Sequence, residues 1–588
     1  MEKWFVAAKK ADFDRWAREF RISPVLARIL RNRDLTEDAQ LERFLHGTLK
    51  DCYSPWLLKD MDRAVELILG AVEQGVKLRV IGDYDVDGIC SSYILTKGLG
   101  ILGAKVDTAI PHRIHDGYGL NEHLIEEAAG DGIGMIVTCD NGIAAASQIA
   151  LAAELGIRVI VTDHHEVPFE IAGDGRRREL LPPALAVIDP KQDTCSYPFP
   201  GICGSVVAYK LIQALAEKSE NPELQETLEE FLELAALATV CDVMELRDEN
   251  RILVKEGLRR LRNTGNQGIR ALIEVNSLQP ERLSAYHLGF VIGPCLNATG
   301  RLDTAARALE LLQSETKAEA MSAARELKEL NDSRKNLTAR GVEDAESYIA
   351  EHQMERDKVM VIFLPEVHES LAGIIAGRIR ERYNHPVFLL TRGEEGIKGS
   401  GRSVEGYHMY EAMTAVKQYF TKFGGHAMAA GLSMREEDIE PLRQALNAGC
   451  EMTEEDFVPR VHIDVPMPLD YAGEEIADEM ELLEPFGVGN PKPLFAQKDL
   501  VFLSGYLMGQ NGSFARYRVR TPEGSVKQLV FFGEVEKFDA FLDEKHGPGS
   551  AAALYGGDAR LQVSVVYQLG KNTYRGRTEV QYVMQHYC

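Results

Sequence analysis

The sequence predicts an α/β protein in which two α/β lobes are joined by a long helix and followed by a small β-barrel. From Lys77 to about Asp242, apolar strands alternate with turns and helices, as in a doubly wound parallel sheet. Residues 303–353 are rich in Ala, Leu, Glu and Lys and almost lack Gly and Pro, which favours one or two long helices. After Pro459, short alternating segments are separated by turn residues, a pattern typical of a small barrel.

The length of the chain requires several domains. Its 588 residues exceed the roughly 250–300 residues that one hydrophobic core serves. We expect five segments: an N-terminal helical segment at 1–75, a first lobe at 76–245, a helical continuation with the connector helix at 246–355, a second lobe at 356–455 and the barrel at 456–588.

Composition excludes several classes of protein. The 45% hydrophobic and 27% charged residues are ordinary for a soluble globular protein, and no apolar run reaches the ~18 residues of a membrane span. The first residues lack the apolar core of a signal peptide, and the nine cysteines form no CxxC pair, so we expect a cytoplasmic protein. The net charge of −24 argues mildly against nucleic-acid binding, although an acidic protein can still carry a basic groove.

Acidic and histidine-bearing motifs follow predicted apolar strands at three points and a predicted apolar helix at a fourth. They contain Asp83, Asp85 and Asp87; Asp140; Asp163, His164 and His165; and Asp242. Ligands of an open α/β sheet bind outside the carboxyl ends of its strands. Hard divalent cations take carboxylates, and imidazole shifts the preference toward metals such as Mn²⁺. The set therefore predicts a catalytic metal centre with enough ligands for two ions.

The series Asp83, Asp85 and Asp87 is the strongest of these motifs. Alternate residues of an extended segment share one face, so we expect the three carboxylates to converge. Without a cation they would repel one another strongly. The alternative for this series taken alone is a solvated Asp/Gly turn.

The other motifs are ambiguous one by one. Asp140 alone could be a helix N-cap, and Asp242 alone could be an ordinary helix end. His164 and His165 are adjacent and point in different directions, so one imidazole can ligate metal while the other meets a substrate phosphate. Their matching positions in the predicted sheet favour a shared site.

Several groups could bind phosphate. The guanidinium fork of an arginine fits a pair of phosphate oxygens, and Gly-rich turns direct backbone N–H groups toward anions. The candidates are Arg113, Arg301, Ser400, Arg402, Gly424, Gly425 and His426. For Arg113 the alternative is an ordinary surface loop, and for the small residues at 427–431 a packing role stays open.

These motifs resemble those of the DHH phosphoesterase superfamily, named after Asp163-His164-His165, and nearly the whole chain is similar to its single-strand-specific 5′→3′ exonucleases. The resemblance implies a catalytic DHH lobe, a connector helix, a DHH-associated (DHHA1) lobe with a Gly-Gly-His motif and a C-terminal oligonucleotide-binding (OB) barrel. It implies that the metal ligands are Asp83, Asp85, Asp87, Asp140, His164 and Asp242, with Asp140 placed to bridge. It also implies that His165, Arg113, Arg301, Ser400, Arg402 and His426 handle phosphates.

The resemblance further implies hydrolysis of phosphodiesters with two Mn²⁺ or Mg²⁺ ions. Two such ions about 3.5–4 Å apart lower the pKa of a bridging water and neutralise the leaving oxygen. The implied product is the 5′-mononucleotide and the implied context is DNA recombination and repair. Single-stranded DNA is then the substrate, single-strand-binding protein and repair helicases are candidate partners, and we expect a monomer without membrane contact.

The predicted barrel carries aromatic and arginine residues that suit stacking with unpaired bases. The candidates are Phe514, Tyr517, Tyr574 and Arg575, among further aromatics such as Phe531 and Tyr567 and further arginines. The alternative is that most of these rings form the barrel core, and for Phe531 we favour that alternative.

Two other functions compete. A small-substrate member of the superfamily, such as an oligoribonuclease, cyclic dinucleotide phosphodiesterase or pyrophosphatase, usually lacks a barrel, so residues 459–588 argue against it. A non-catalytic replication factor of the same fold would have lost its ligands, and the complete set of acids and histidines argues against that function.

Overall fold

This computed structural model describes residues 2–112, 119–302, 304–393, 396–509, 512–557, 559–574 and 576–588, without the side chains of residues 302 and 574. The strands are β1 Lys3–Val6, β2 Lys77–Ile81, β3 Lys105–Ala109, β4 Met135–Cys139, β5 Arg158–Thr162, β6 Phe169–Ile171, β7 Arg177–Glu179, β8 Ala186–Ile188, β9 Met360–Phe363, β10 Val387–Gly393, β11 Gly396–Arg402, β12 Phe420–Gly425, β13 Ala429–Met434, β14 Arg460–Ile463, β15 Val465–Pro466, β16 Phe495–Met508, β17 Phe514–Arg520, β18 Val526–Phe531, β19 Leu561–Tyr574 and β20 Arg577–Tyr587. The helices are α1 Phe13–Phe20, α2 Pro24–Asn32, α3 Asp38–His46, α4 Met61–Glu73, α5 Val86–Ile101, α6 Glu122–Gly130, α7 Ala146–Glu154, α8 Gly204–Ser219, α9 Pro222–Cys241, α10 Asp248–Leu261, α11 Gln267–Val275, α12 Ala285–His287, α13 Gly293–Leu302, α14 Ala306–Gln313, α15 Lys317–Glu351, α16 Ala372–Tyr383, α17 Met409–Ala415, α18 Ile439–Gly449, α19 Glu474–Glu481, α20 Val535–His546 and α21 Ser550–Gly556.

The chain divides into two compact units. The barrel unit consists of Met1–Tyr53, Val243–Glu256 and Arg460–Cys588, and the two-lobe unit of Ser54–Asp242 and Gly257–Pro459. This division differs from the segments expected at 1–75 and 246–355, each of which contributes to both units. Packing between segments that are distant in the chain causes the difference, and a pass along the sequence does not detect such contacts. The boundaries expected inside the two-lobe unit remain a prediction.

The first lobe is built on a parallel sheet with strand order β3-β2-β4-β5-β8. β2 is followed in the chain by β3 on one side and later by β4 on the other, so the strand order reverses beside β2. Helices α6 and α7 share a core cluster with this sheet that includes Ile136, Val159 and Val161. A reversal of this kind opens a crevice at the carboxyl ends of the strands.

The second lobe has a sheet of order β12-β13-β11-β10-β9, in which β9 and β10 are parallel and the other pairs antiparallel. The 35-residue helix α15 leads into this lobe and packs on α16. Both α/β lobes and the long connecting helix are therefore confirmed.

The barrel unit contains a closed barrel. Strands β16, β17, β18, β20 and β19 follow one another around it, and β19 pairs again with β16. Helices α1 to α3 share one hydrophobic core with the barrel, where Trp16 and Leu26 join Phe502 and Phe538. The predicted OB-type barrel is confirmed, and the N-terminal helices are part of the same packed body. Among all the residues described, no helix is long and apolar enough to cross a membrane.

Arg251 on α10 joins the three chain segments of the barrel unit. Its side chain is 1% exposed. Its guanidinium donates to the carbonyl oxygens of Phe44 at 3.0 Å, Leu483 at 2.8 Å and Leu482 at 2.8 Å, and it lies 3.8 Å from the centre of the Phe44 ring. A planar fork of donors is needed to satisfy three carbonyls at once.

We predict that Arg251→Ala lowers the free energy of unfolding of the barrel unit by about 3–5 kcal/mol, because it leaves buried acceptors unpaired. Urea unfolding followed by the fluorescence of the buried Trp16 measures this. Arg251→Lys should recover little, since one ammonium cannot serve three carbonyls. The control Lys255→Ala removes an exposed cation from the same helix, and an equal loss in that variant would contradict the assignment.

Candidate metal centre

The predicted ligands lie at one edge of the first sheet. β2, β4 and β5 are neighbours and parallel, so the residues that follow them share the same edge. Asp83 follows β2, Asp140 follows β4, and Asp163 to His165 follow β5. The edge between β2 and β4 is also where the strand order reverses, which is the usual ligand position in such sheets.

The sequence suggested that the three carboxylates after β2 share one face of an extended segment, and the structure does not show that geometry. Helix α5 begins at Val86, so the segment is extended only up to Asp85. Asp85 is the N-cap of α5 and accepts from the N–H groups of Asp87 at 2.9 Å and Gly88 at 3.1 Å. The expectation of one extended face was therefore wrong. The start of the helix places Asp87 with His164 and Asp242, whereas Asp83 and Asp85 group with Asp140. Glycine is required at position 88, because a Cβ there would lie 2.3 Å from the carbonyl oxygen of Asp83.

His164 points into the acidic cluster. Its Nε2 lies 3.1 Å from Asp140 Oδ1, 3.6 Å from Asp87 Oδ2 and 3.6 Å from Asp242 Oδ2. Burial lowers the pKa of His164, which favours the neutral imidazole that ligates metal ions. Asp242 reaches this group from the end of helix α9.

The carboxylates of the cluster are held in mutual repulsion. Burial and then the charges of Asp87, Asp85 and Asp83 raise the pKa of Asp140 well above its usual range. Burial and the charges of Asp87 and Asp85 raise the pKa of Asp242 to about 8, and burial with Asp87 raises the pKa of Asp85. Divalent cations would reverse these shifts by neutralising the carboxylates.

Three sets of side chains have ligand atoms within 4.8 Å of one another. They are Asp83, Asp85 and Asp140; Asp87, His164 and Asp242; and Asp140, His164 and His165. Asp140 belongs to two of these sets, which suits a ligand shared by two ions. The donor set of carboxylate oxygens and imidazole nitrogen fits Mn²⁺ or Mg²⁺.

Asp87 also has a structural function. Its Oδ2 accepts from the N–H of Gly204 at 2.7 Å and its Oδ1 accepts from the N–H of Ser205 at 2.7 Å. These groups form the N-terminus of the 16-residue helix α8, whose dipole favours a negative charge there. Asp87 therefore fixes the start of helix α8 against the loop after β2, and both of its carboxylate oxygens accept hydrogen bonds there.

His165 is oriented by Asp163. Asp163 Oδ1 accepts from the backbone N–H groups of His164 at 2.7 Å and His165 at 3.2 Å, and it lies 2.8 Å from His165 Nδ1. Burial opposes protonation, but the hydrogen bond and the charge of Asp163 raise the pKa of His165 to about 9. The His165 side chain is 44% exposed, so a cationic imidazole is presented at the surface of the site.

Three further residues of the site were not assigned a role from the sequence. Asp163 orients both histidines, although it was noted only as part of the motif. Asn141 donates to the carbonyl oxygens of Ile81 at 3.1 Å and Cys139 at 2.8 Å, which ties the ends of β2 and β4 together. Asp189 follows strand β8, and burial and the charge of Asp163 raise its pKa to about 7. Its position after an apolar strand was the available signal.

Of the phosphate candidates, Ser400 and Arg402 come together in the second lobe. Both lie on β11 against Gly373 of α16, where a Cβ would be 2.7 Å from Arg402 Nη2 and 3.4 Å from Ser400 Oγ. Burial and the charge of Arg380 lower the pKa of Arg402. The Arg402 guanidinium and the Ser400 hydroxyl beside the first turn of a helix form an environment that suits an anion.

The Gly-Gly-His segment lies at the turn from β12 to β13, and Gly424, Gly425 and His426 are all exposed. Gly425 has φ 149°, and a Cβ there would lie 2.4 Å from the carbonyl oxygen of Ala429, so glycine is required. Gly424 on β12 and Ser400 on β11 both pair with Gly431 on β13, which places the two candidate groups on the strands that flank β13.

Arg301 at the end of α13 donates to the carbonyl oxygen of Ser370 at 2.6 Å, so it connects the helical continuation to the second lobe. Arg113 and Arg575 lie outside the described residues, as does the side chain of Tyr574. Their roles remain predictions.

The stacking function expected for Tyr517 was wrong. Its side chain is 0% exposed and lies in the barrel core, where its ring contacts Phe502 and Phe538. Alternate residues of a strand face opposite sides, so Tyr517 points inward while Arg516 and Arg518 point outward. The half-buried Phe514 remains a candidate on the outer side.

A row of aromatic and basic side chains that differs from the predicted stacking set lies on the outer side of β16 and β17. Tyr506 pairs with Arg516, and Ser504 pairs with Arg518. Phe532 is 58% exposed, and its ring lies 5.3 Å from that of Phe514. We call Tyr506, Phe514, Arg516, Arg518 and Phe532 the barrel row.

Three family models match the chain. They are the DHH family, N-terminal domain, at residues 77–239, the DHHA1 domain at 356–452 and the RecJ OB domain at 463–586. They match, in this order, the first lobe with the metal cluster, the second lobe and the barrel.

Similar proteins cover most of the chain. The single-stranded-DNA-specific exonuclease RecJ of Salmonella typhimurium is 37% identical over 81% of this chain and 83% of its own length. The RecJ of Haemophilus influenzae is 32% identical over 96% of both chains, and that of Bacillus subtilis is 35% identical over 92% of this chain and 66% of its own length.

Among solved structures, RecJ of Thermus thermophilus in complex with Mn²⁺ matches with a TM-score of 0.80 and 27% identity, over 100% of this chain and 79% of that one. The same organism's RecJ in complex with Mg²⁺ matches with a TM-score of 0.74. The 37% and 32% identity of the Salmonella and Haemophilus proteins over most of both chains, together with the three matched domains, shows that the chain belongs to the RecJ family.

Proposed function

We propose that the protein is a metal-dependent exonuclease specific for single-stranded DNA, which degrades the strand from its 5′ end and releases 5′-mononucleotides. The approach of His164 Nε2 to Asp140, Asp87 and Asp242, beside the group of Asp83, Asp85 and Asp140, is the observation that carries the proposal. A cluster of carboxylates with mutually raised pKa values suits cations, and the relatives named above are exonucleases or hold Mn²⁺ or Mg²⁺.

When bound, two divalent cations supply an activated water and neutralise charge on the oxygens of the phosphoryl group. The chain supplies the positions. Asp140, with φ 60°, lies in the left-handed region, and its carboxylate belongs to two of the three ligand sets. His165, fixed through Asp163, presents a donor that stabilises negative charge on a phosphoryl oxygen. Ser400, Arg402 and His426 bind neighbouring phosphates in this proposal.

The two competing functions are disfavoured. The RecJ OB domain matched at 463–586 argues against an enzyme of small substrates alone, and the complete ligand set argues against a factor without catalysis. The proposal also includes a monomer acting in the cytoplasm during recombination and repair. Single-strand-binding protein and repair helicases are its candidate partners.

Digestion of end-labelled DNA tests the proposal. With Mn²⁺ or Mg²⁺, single strands should be degraded and the 5′ label released first as a mononucleotide, whereas blunt duplexes and chelated reactions should stay intact. Equal degradation of duplex DNA, or release of the 3′ label first, would refute the specificity or the polarity.

We predict that Asp140→Asn reduces hydrolysis to the level seen with chelator. Asparagine tolerates a positive φ, so the fold should persist while the charge that Asp140 contributes to two of the three ligand sets is lost. Circular dichroism and label release from single strands check this. Asp107→Asn, an exposed carboxylate of the same sheet, serves as the control. Near-normal activity of Asp140→Asn would overturn the two-ion assignment.

We predict different effects for the two histidines. His164→Ala should lose one bound Mn²⁺, because its Nε2 faces three carboxylates. His165→Ala should retain the Mn²⁺ stoichiometry and lower kcat by about 100-fold or more, as does the removal of one donor from other charge-stabilising sites. Calorimetric Mn²⁺ titration and single-turnover kinetics separate the two. The same stoichiometry in both variants would contradict this division.

We predict that the barrel row governs affinity for long strands. The double variant Arg516→Ala with Phe532→Ala should weaken binding of long oligonucleotides about tenfold to a thousandfold, since stacking contributes roughly 1–3 kcal/mol per base. The kcat on short oligonucleotides should not change. Tyr471→Ala, which removes an exposed ring outside the row, is the matched control. A fall in kcat on both substrates would place the barrel in the active site.

A further inference from the structure

Two large aromatic side chains of the helical continuation that follows the first lobe are exposed to solvent beside each other. Tyr286 is 63% exposed and Phe290 is 66% exposed. Their ring centres are 5.0 Å apart and the ring planes differ by 24°, so the rings are stacked. They flank the start of a π-helical turn at Leu288–Ile292, which joins α12 to α13. Such turns are rare and occur frequently at functional sites.

The helical segment that carries this aromatic pair packs on the end of helix α9, directly before Asp242. Cys241, which precedes Asp242, donates through Sγ to the carbonyl oxygen of Leu288 at 3.6 Å. A Cβ on Gly289 would lie 3.3 Å from Val240 Cγ1, and one on Gly293 would lie 2.3 Å from Cys241 Sγ. Phe290 therefore follows Gly289 in the chain, and Gly289 lies against Val240, two residues before Asp242.

Farther along, the same segment reaches the other side of the centre. Asn297 Oδ1 accepts from the N–H of Val86, between Asp85 and Asp87, at 3.1 Å. Gly300 lies so close to the loop after β2 that a Cβ there would be 2.5 Å from the carbonyl oxygen of Tyr84. One helical segment therefore braces the metal ligands and carries the exposed rings.

We propose that Tyr286 and Phe290 form a base-stacking platform that holds bases of the single strand next to the phosphodiester being cleaved. The inference rests on the proposed function and deepens it. Every phosphate of a single strand carries a base, so a strand whose phosphodiester reaches Asp242 brings its bases to the adjoining surface. Aromatic faces take up any base, as a nuclease without sequence preference requires.

The platform also gives a physical reason for single-strand specificity. Bases of a duplex are already stacked and paired, and exposing one costs a few kcal/mol before it can stack on protein. An unpaired strand offers its bases without that cost. Tyr286 and Phe290 are positioning residues in this account, because the rings hold the strand and do not touch the reacting atoms.

Kinetics of alanine variants test the proposal. Tyr286→Ala and Phe290→Ala should each raise KM for a short single-stranded oligonucleotide about tenfold, and the double variant about a hundredfold, with kcat at saturation unchanged. Tyr286→Phe and Phe290→Trp should keep the KM of the wild-type protein. Leu155→Ala, an exposed apolar residue at the end of α7, is the matched control.

Abasic substrates show whether the rings act on bases. Removing the bases nearest the 5′ end should raise KM for the wild-type protein about tenfold, yet change it little for the double variant, because both changes remove the same contact. Additive effects of the two changes would overturn the proposal. So would an unchanged KM of the variants on every oligonucleotide, which would assign the rings to another occupant such as a protein. If the wild-type protein fails to degrade single strands at all, the proposed function fails first.

Discussion

Carboxylates buried at one edge of a parallel sheet are the constraint on which the rest of the structure depends. Asp83 and Asp87 are 1% exposed and Asp140 is 2% exposed, and each raises the cost of ionising its neighbours. Backbone N–H groups at the start of α5 and α8 offset part of this cost through Asp85 and Asp87. Bound cations would offset the remainder, and folding of this edge would then be coupled to metal binding.

The elements around the cluster hold it in place. Asn141 ties two strand ends together, and Asp163 fixes both histidines through three contacts on one oxygen. Asp140 has a positive φ, a conformation that the surrounding hydrogen bonds maintain, and strain of this kind is common where a side chain must be aimed. The segment from α12 to α13 supports the cluster from the other side. Hydrogen-bonded backbone thus supports the candidate ligands from within the protein, and the solvent-exposed side of the cluster is left for substrate.

The sequence predicted the fold class and the common sheet edge of the candidate ligands, because both depend on local patterns. Apolar strands followed by Asp or His fix a common sheet edge, whatever the details of packing. Predictions failed where an element boundary or a long-range contact determines the geometry. A helix starting at Val86 changed the geometry of the acidic series, and the pairing of β16 with β17 turned Tyr517 inward. Likewise, the exposure of Tyr286 and Phe290 depends on packing between segments that are distant in sequence, so no sequence motif predicts it.

Anomalous diffraction from crystals soaked in Mn²⁺ tests the central claim most directly. The account predicts two peaks per chain, about 3.5–4 Å apart, with Asp140 between them, one peak beside Asp83 and Asp85, and the other beside His164 and Asp242. At saturating Mn²⁺, a single peak, or peaks away from Asp140, would contradict a two-ion centre at this edge of the sheet.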